Sequence, residues 1–235
     1  MTGTLPFADV GLVVAAAGSG SRYSPERSKL FEPLGGEPLF LRCLRTFASV
    51  IRADLTVLVV SPAGQERFRQ ALQALPGGAQ ITVVPGADSR AESVRCGLAA
   101  LPGAASLVAV QDAARPLTAL DVLCRCLAAA RLGGSGVAAR RVTDTIKVAD
   151  AAGRVIATPD RATLWAAETP QVFRRADLER AYCAALCAGR YPTDEAAAIA
   201  ALGLPVQLVE SLLPNPKVTH PNDAALVRFL LEQGG

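Results

Sequence analysis

Apolar positions along this chain follow two alternating rhythms. Short, β-branched runs at 11–17, 55–61, 81–84 and 107–111 have the length and composition of buried strands. Between them, the stretches 38–50, 65–75, 89–101 and 120–131 repeat their apolar residues at helical spacing; in the second of these Phe68, Ala71, Leu72 and Leu75 share one face. Strands separated by helical stretches of about 10 to 15 residues predict an α/β fold, a Rossmann-like, mostly parallel twisted sheet flanked by helices. From residue 136 the rhythm changes. Residues 137–148 and 154–158 read as extended, with Asp150-Ala151-Ala152-Gly153 as the turn of a hairpin. Two strands alone are marginal in water, so this β-arm, at about 137–165, is expected to pack on its parent domain or on a second subunit. The chain then returns through helices at 176–187 and 194–202, a strand at 206–210 and a last helix opened by Pro221. With no internal repeat or low-complexity linker, residues 1–235 read as a single domain.

Composition narrows the ligand more than the fold. An apolar share of 51% allows a substantial core. The net charge of +3 comes from 24 basic and 21 acidic residues spread along the chain, with no Lys/Arg block to track a nucleic-acid backbone, so a small charged ligand fits better than a polymer. The uncharged stretch 96–111 is interrupted by Pro102 and Gly103 and is too short to cross a membrane. Asp9 interrupts any secretory signal at the start, and a cytoplasmic protein is expected. Cys43, Cys96, Cys124, Cys126, Cys183 and Cys187 fall on apolar helical patterns without a Cys-x-x-Cys, and His220 is the one histidine; reduced, buried thiols are expected, not a zinc site.

The candidate chemistry centres on residues 13–29, VVAAAGSGSRYSPERSK. A buried strand breaks at Gly18-Ser19-Gly20 into a loop carrying Arg22, Arg27 and Lys29, where glycines let backbone N–H groups approach phosphate oxygens and the cations add charge. A dinucleotide fingerprint is excluded, because Tyr23 stands where a third glycine is needed and Ser61-Pro62 where an acid should close the second strand. A P-loop is excluded too, because Lys29 lies between Ser28 and Leu30. Gly18, Asp88 and Asp112 all fall at carboxyl ends of strands, where such sheets bind ligands. Asp112 and Arg115 share one loop at that edge, and Asp88, Arg90 and Ser93 share another, able to read a base or to cap a helix. Thr145 and Arg161 lie on or beside the arm and Thr169 just after it, a set able to hold a phosphorylated substrate. Lys217 follows the last strand, where a lysine is either solvated or able to reach a triphosphate, and His220, beside Pro221, is expected to cap the last helix and not to catalyse.

Taken in order, AAAGSGSR with Lys29, ADSRAES, QDAARP, VTDTIK, TPDR, LWAAETPQ, YPTDEA and NPKVTHPND cover nearly the whole chain. The set resembles the 2-C-methyl-D-erythritol 4-phosphate cytidylyltransferase family of the non-mevalonate isoprenoid pathway. The resemblance implies a single nucleotidyltransferase domain that uses CTP and Mg²⁺, with Arg22, Lys29 and Lys217 as catalytic cations on the phosphates. It implies a nucleotide site at Ala16, Ala17, Gly18, Gly20, Ala87, Asp88, Ser93, Asp112 and Ala113, and a substrate site at Asp112, Arg115, Thr145, Arg161, Thr169 and Thr193. Mg²⁺ is expected mainly on the CTP phosphates, with Asp112 as the candidate protein ligand, and the arm is expected to make a homodimer in which Thr145 and Arg161 reach the partner's site. A ribitol-5-phosphate cytidylyltransferase and a catalytically inactive nucleotide-binding regulator are the alternative readings. The sequence departs from the family's pattern at Ser28, where proline is frequent, and at Ala87, where glycine is common.

Overall fold

The structure is a computed structural model that describes residues 6–18, 20, 23 and 28–233. After β1 (Val10–Ala16) comes a small ribbon of β2 (Pro33–Leu34) and β3 (Glu37–Pro38), followed by α1 (Leu39–Ala48), β4 (Thr56–Val60), α2 (Gln65–Leu72) and β5 (Thr82–Pro85). Next are α3 (Arg90–Ala100), β6 (Leu107–Asp112), α4 (Leu120–Gly133), β7 (Ser135–Arg141), and the paired β8 (Val148–Ala149) and β9 (Val155–Ala157). The chain closes with β10 (Trp165–Arg174), α5 (Arg175–Cys187), α6 (Glu195–Ala201), β11 (Leu208–Glu210) and α7 (Pro221–Gln233). Seven strands form one sheet in the order β11-β7-β10-β6-β1-β4-β5. Its pairs are parallel except those of β10, which runs antiparallel to β6 and β7. This is the Rossmann-like, mostly parallel sheet that the alternating pattern predicts.

Both faces of the sheet are covered, which is why β1 is apolar throughout and β4 nearly so. Along β1, Leu12, Val14 and Ala16 join Phe40, Leu44, Phe47, Leu123 and Leu127 on one side, while Val13 joins Val94, Leu98, Leu178 and Tyr182 on the other. α3 lies close against the sheet: a Cβ on Gly97 would fall 2.5 Å from Val13 Cγ1 and 2.7 Å from Val59 Cγ2. Its start is fixed by a capping box, in which Glu92 N donates to Ser89 Oγ at 3.1 Å and Ser89 N to the Glu92 carboxylate at 3.2 Å. α4 ends at Gly134, whose φ of 89° lets its N–H return to Ala130 O at 2.8 Å.

Two expectations are corrected. Residues 137–148 are not one continuous strand: pairing with β10 ends at Arg141↔Trp165, and without a partner the chain leaves strand geometry until β8. The turn that follows is as read, with Asp150 N donating to Arg154 O at 2.9 Å and Gly153 at φ 78°. The cysteines do not share one environment. Cys43 and Cys126 are buried, and desolvation pushes both thiols up to about 12, but Cys183 and Cys187 are exposed, because α5 turns Leu178, Ala181, Tyr182 and Ala185 to the sheet instead. His220 stands directly before α7, its O accepting from Asp223 N at 3.0 Å, and the Asp223 carboxylate in turn takes the Thr219 and His220 N–H groups at 2.8 and 2.7 Å. Val155 and Ile156 on the arm are 58% and 66% exposed. Among the described residues, no helix is long and apolar enough to cross a membrane.

Candidate active site

The carboxyl ends of β1 and β6, the loop from β5 into α3 and the segment before α7 enclose a cavity of about 400 Å³. One wall is main chain and small side chains: Ala15, Ala16, Ala17, Gly18 and Gly20 after β1, then Ala87, Asp88, Ser89 and Ser93 around the start of α3. Gly20 has φ 66°, a conformation that favours glycine, and nothing lies within 4 Å of where a Cβ on Gly18 would be. Behind this wall a Cβ on Gly86 would meet Ala17 Cβ at 2.4 Å and Ser93 Oγ at 2.7 Å, so only glycine allows the β5–α3 loop to fold this close to β1. The Ser93 hydroxyl holds the loop in place, accepting from Ala87 N at 3.0 Å and donating to Ala87 O at 3.2 Å.

The opposite wall is charged. Lys29, Arg90, Asp112 and Lys217 line it, and Lys29 Nζ donates to Val218 O at 2.8 Å, tying the glycine loop's far end to the segment before α7. Asp112 Oδ2 accepts from Lys217 Nζ at 2.7 Å, and Oδ1 lies 3.3 Å from Arg90 Nη2. Burial pushes the Asp112 carboxyl up, but the charges of Arg90, Lys217 and Arg115 together outweigh it and hold the group below the ordinary aspartate range. Arg90 also pairs with the fully buried Glu195, Nη1 to Oε1 at 2.8 Å, and Glu195 Oε1 accepts from Tyr182 at 2.7 Å. Burial would lower the Arg90 pKa, but Glu195 and Asp112 reverse the sign and keep the guanidinium charged. α6 presents Glu195 in a fixed place because Asp194 caps the helix through Ala197 N at 2.8 Å, while Gln171 accepts from Ala196 N at 3.0 Å and donates to Asp194 at 3.0 Å.

Of the residues singled out in the sequence, Ala16, Ala17, Gly18, Gly20, Lys29, Ala87, Asp88, Ser93, Asp112 and Lys217 line this one cavity. Arg22 lies outside the described residues. Ala113 is wholly buried, with its N–H on Ala15 O at 3.1 Å, and Ala114 lines the cavity beside it. Arg115 and Thr169 stand behind the wall: Arg115 Nη1 donates to Asn215 O at 2.6 Å, and Thr169 Oγ1 accepts from Asp112 N at 3.1 Å. Thr145, Arg161 and Thr193 are away from the lining; Arg161 Nη1 donates to Thr143 O at 3.0 Å within the arm. Glu195, Tyr182, Glu168 and Thr219 were not singled out. Glu195 lies 105 residues from Arg90 along the chain, a separation that no local pattern bridges. No group of three or more His, Cys, Asp or Glu side chains capable of holding a metal occurs among the described residues.

The profile of the family described as "IspD: 2-C-methyl-D-erythritol 4-phosphate cytidylyltransferase" matches residues 10–233. A protein of that name from Symbiobacterium thermophilum is 39% identical over 224 residues, covering 95% of this chain and 93% of its own length. The bifunctional enzyme IspD/IspF of Anaeromyxobacter dehalogenans is 43% identical over 223 residues, 94% of this chain and 56% of that longer protein. The crystal structure of 2-C-methyl-D-erythritol 4-phosphate cytidylyltransferase from Thermus thermophilus superposes with a TM-score of 0.78 at 28% identity, covering 95% of this chain and 99% of the other. Fold, motifs and sequence agree from β1 to α7, and the chain belongs to the 2-C-methyl-D-erythritol 4-phosphate cytidylyltransferase family.

Proposed function

We propose that this chain transfers CMP from CTP to 2-C-methyl-D-erythritol 4-phosphate, releasing pyrophosphate and forming 4-diphosphocytidyl-2-C-methyl-D-erythritol. The observation that carries this reading is the meeting of a glycine-lined wall with Lys29, Lys217 and Asp112 in one cavity, in a chain of this family. A phosphate monoester has its second pKa near 6, so the acceptor is largely dianionic at neutral pH and attacks the α-phosphorus without a general base. The barrier is the approach of one anion to another, and it is lowered by fixed cations and in-line positioning. Lys29 and Lys217 supply two of those cations, and Arg22 is assigned a third. An ammonium has three donors, so Lys217 can serve Asp112 and phosphate oxygens at once. Main chain at Ala16, Ala17, Gly18 and Gly20 is assigned to the nucleotide, with Asp88 and Ser93 at the base.

Mg²⁺ fits this donor set: it takes one or two carboxylates and completes its shell with phosphates and water, and Asp112 supplies one such carboxylate at the cavity wall. When bound there it would neutralise charge on the triphosphate. The arm is assigned to a homodimer contact, supported by its exposed Val155 and Ile156, with Thr145 and Arg161 offered to the partner's acceptor site. Pyrophosphate release from CTP and Mg²⁺ should appear with methylerythritol 4-phosphate and be absent with ribitol 5-phosphate. Release only with ribitol 5-phosphate, or with neither in a protein that binds CTP, would refute the assignment.

A further inference from the structure

Cys183 and Cys187 are exposed on α5, whereas Cys43 and Cys126 are buried and Cys96 and Cys124 are partly covered. Spaced i and i+4 on one helix, the two exposed thiols are neighbours on the same strip of α5. They act on each other: hydrogen bonding with Cys183 raises the Cys187 thiol above the ordinary cysteine range. Both line a surface cavity of about 510 Å³ between α3 and α5, which Leu98, Leu186 and Arg95 line as well. Its two carboxylates are committed elsewhere, Glu92 to Ser89 in the capping box and Glu179 to Arg175 Nε at 2.7 Å. None of this belongs to the active-site cavity.

The spacing of the pair selects its chemistry. Side chains one turn apart on a helix hold their Cβ atoms about 5–6 Å apart, whereas a disulfide draws them to about 3.5–4.5 Å, so joining the sulfurs directly would distort the helix. A metal ion between two thiolates, with metal–sulfur bonds of about 2.3 Å, spans sulfurs up to about 4.6 Å apart, within reach of an undistorted turn. Zinc completes a tetrahedron of four ligands. Among the described residues, no group of three or more His, Cys, Asp or Glu is placed to hold a metal. A pair of thiolates suits instead a soft ion satisfied by two ligands, and soft sulfur donors select copper(I). The resulting unit carries one net negative charge, which Arg95 on the same cavity offsets. We propose that Cys183 and Cys187 form a dithiol site that binds one soft monovalent ion of the copper(I) class between their sulfurs. Each thiol gives up its proton on binding and no electron is transferred, so no oxidant is required.

The test is anaerobic competition for copper(I) between the reduced protein and bicinchoninate, followed by the absorbance of the indicator complex. Wild type should withdraw one equivalent of copper(I) per chain. Cys183→Ser and Cys187→Ser should each lose that equivalent, while the double variant Cys96→Ser/Cys124→Ser keeps it. Phenylarsine oxide gives a second reading that needs no variant: its arsenic forms two As–S bonds, and the two thiol protons leave with its oxygen as water. Mass spectrometry should show one such adduct per chain, carried by the tryptic peptide 181–190, which holds both cysteines, and retained against excess glutathione. A wild type that withdraws no copper, an equivalent that survives in either single serine variant, or an arsenical carried by the other cysteines would overturn the site.

Discussion

The two walls of the cavity are built by different means. The glycine wall uses main chain and small side chains held by local contacts, such as the Ser89–Glu92 capping box and the Ser93–Ala87 pair. The charged wall uses long side chains whose partners lie far away in sequence: Lys217 with Asp112, Arg90 with Glu195, and Arg115 with Asn215, separated by 105, 105 and 100 residues. A nucleotide triphosphate can be cradled by backbone that one loop supplies, because nearly every residue carries an N–H. Holding several buried charges requires counter-charges, and these have to be imported from other elements. The glycine wall is therefore separable residue by residue, whereas the charged wall behaves as one unit.

The largest effect expected from this difference is on stability. Glu195→Ala leaves the Arg90 guanidinium without its main counter-charge beneath Asp112, and breaking a buried pair from one side costs about 3–5 kcal/mol. Chemical denaturation should show that loss; a change below about 1 kcal/mol, the range of surface pairs, would mean that the charged wall is not a unit. Lys29→Ala should differ in kind, lowering kcat by about 10²- to 10³-fold, by analogy with removal of an oxyanion donor, in a protein that stays folded. Near-normal turnover there would remove Lys29 from the phosphate site. The smallest and most selective effect is expected at the arm. Replacing Val155 and Ile156 together by serine should shift the protein toward monomer in light scattering and weaken the acceptor's KM by about tenfold, one hydrogen bond's worth, while CTP affinity holds. A dimer that persists would show that the arm is not the contact.

Much of the fold was legible in the sequence because its signals are local. The runs at 55–61 and 107–111 are apolar on both faces, as strands covered on both sides must be, and they became β4 and β6 within a residue or two. The Gly18-Ser19-Gly20 break, Asp88, Ser93 and Asp112 were readable for the same reason: each lies at or shortly after a strand end. The arm was legible only in part, since its turn is set by Asp150 and Gly153 but the end of β7 depends on where β10 stops pairing. Cys183 and Cys187 were misread because the two faces of α5 are both rich in alanine and other apolar residues, so only the packing of Tyr182 shows which one is covered.

The sequence by itself determined the alternation of strands and helices, the position of the glycine loop and the family, because these rest on periodicity, turn chemistry and ordered motifs. Only the tertiary structure decided that Asp112 would be surrounded by Arg90, Lys217 and Arg115, that Glu195 and Tyr182 would stand behind Arg90, and that Glu168 would be buried near Arg115 and Arg140. The physical reason is range. Backbone propensity and hydrophobic rhythm act over a few residues, whereas a buried charge is defined by whichever elements the fold brings around it.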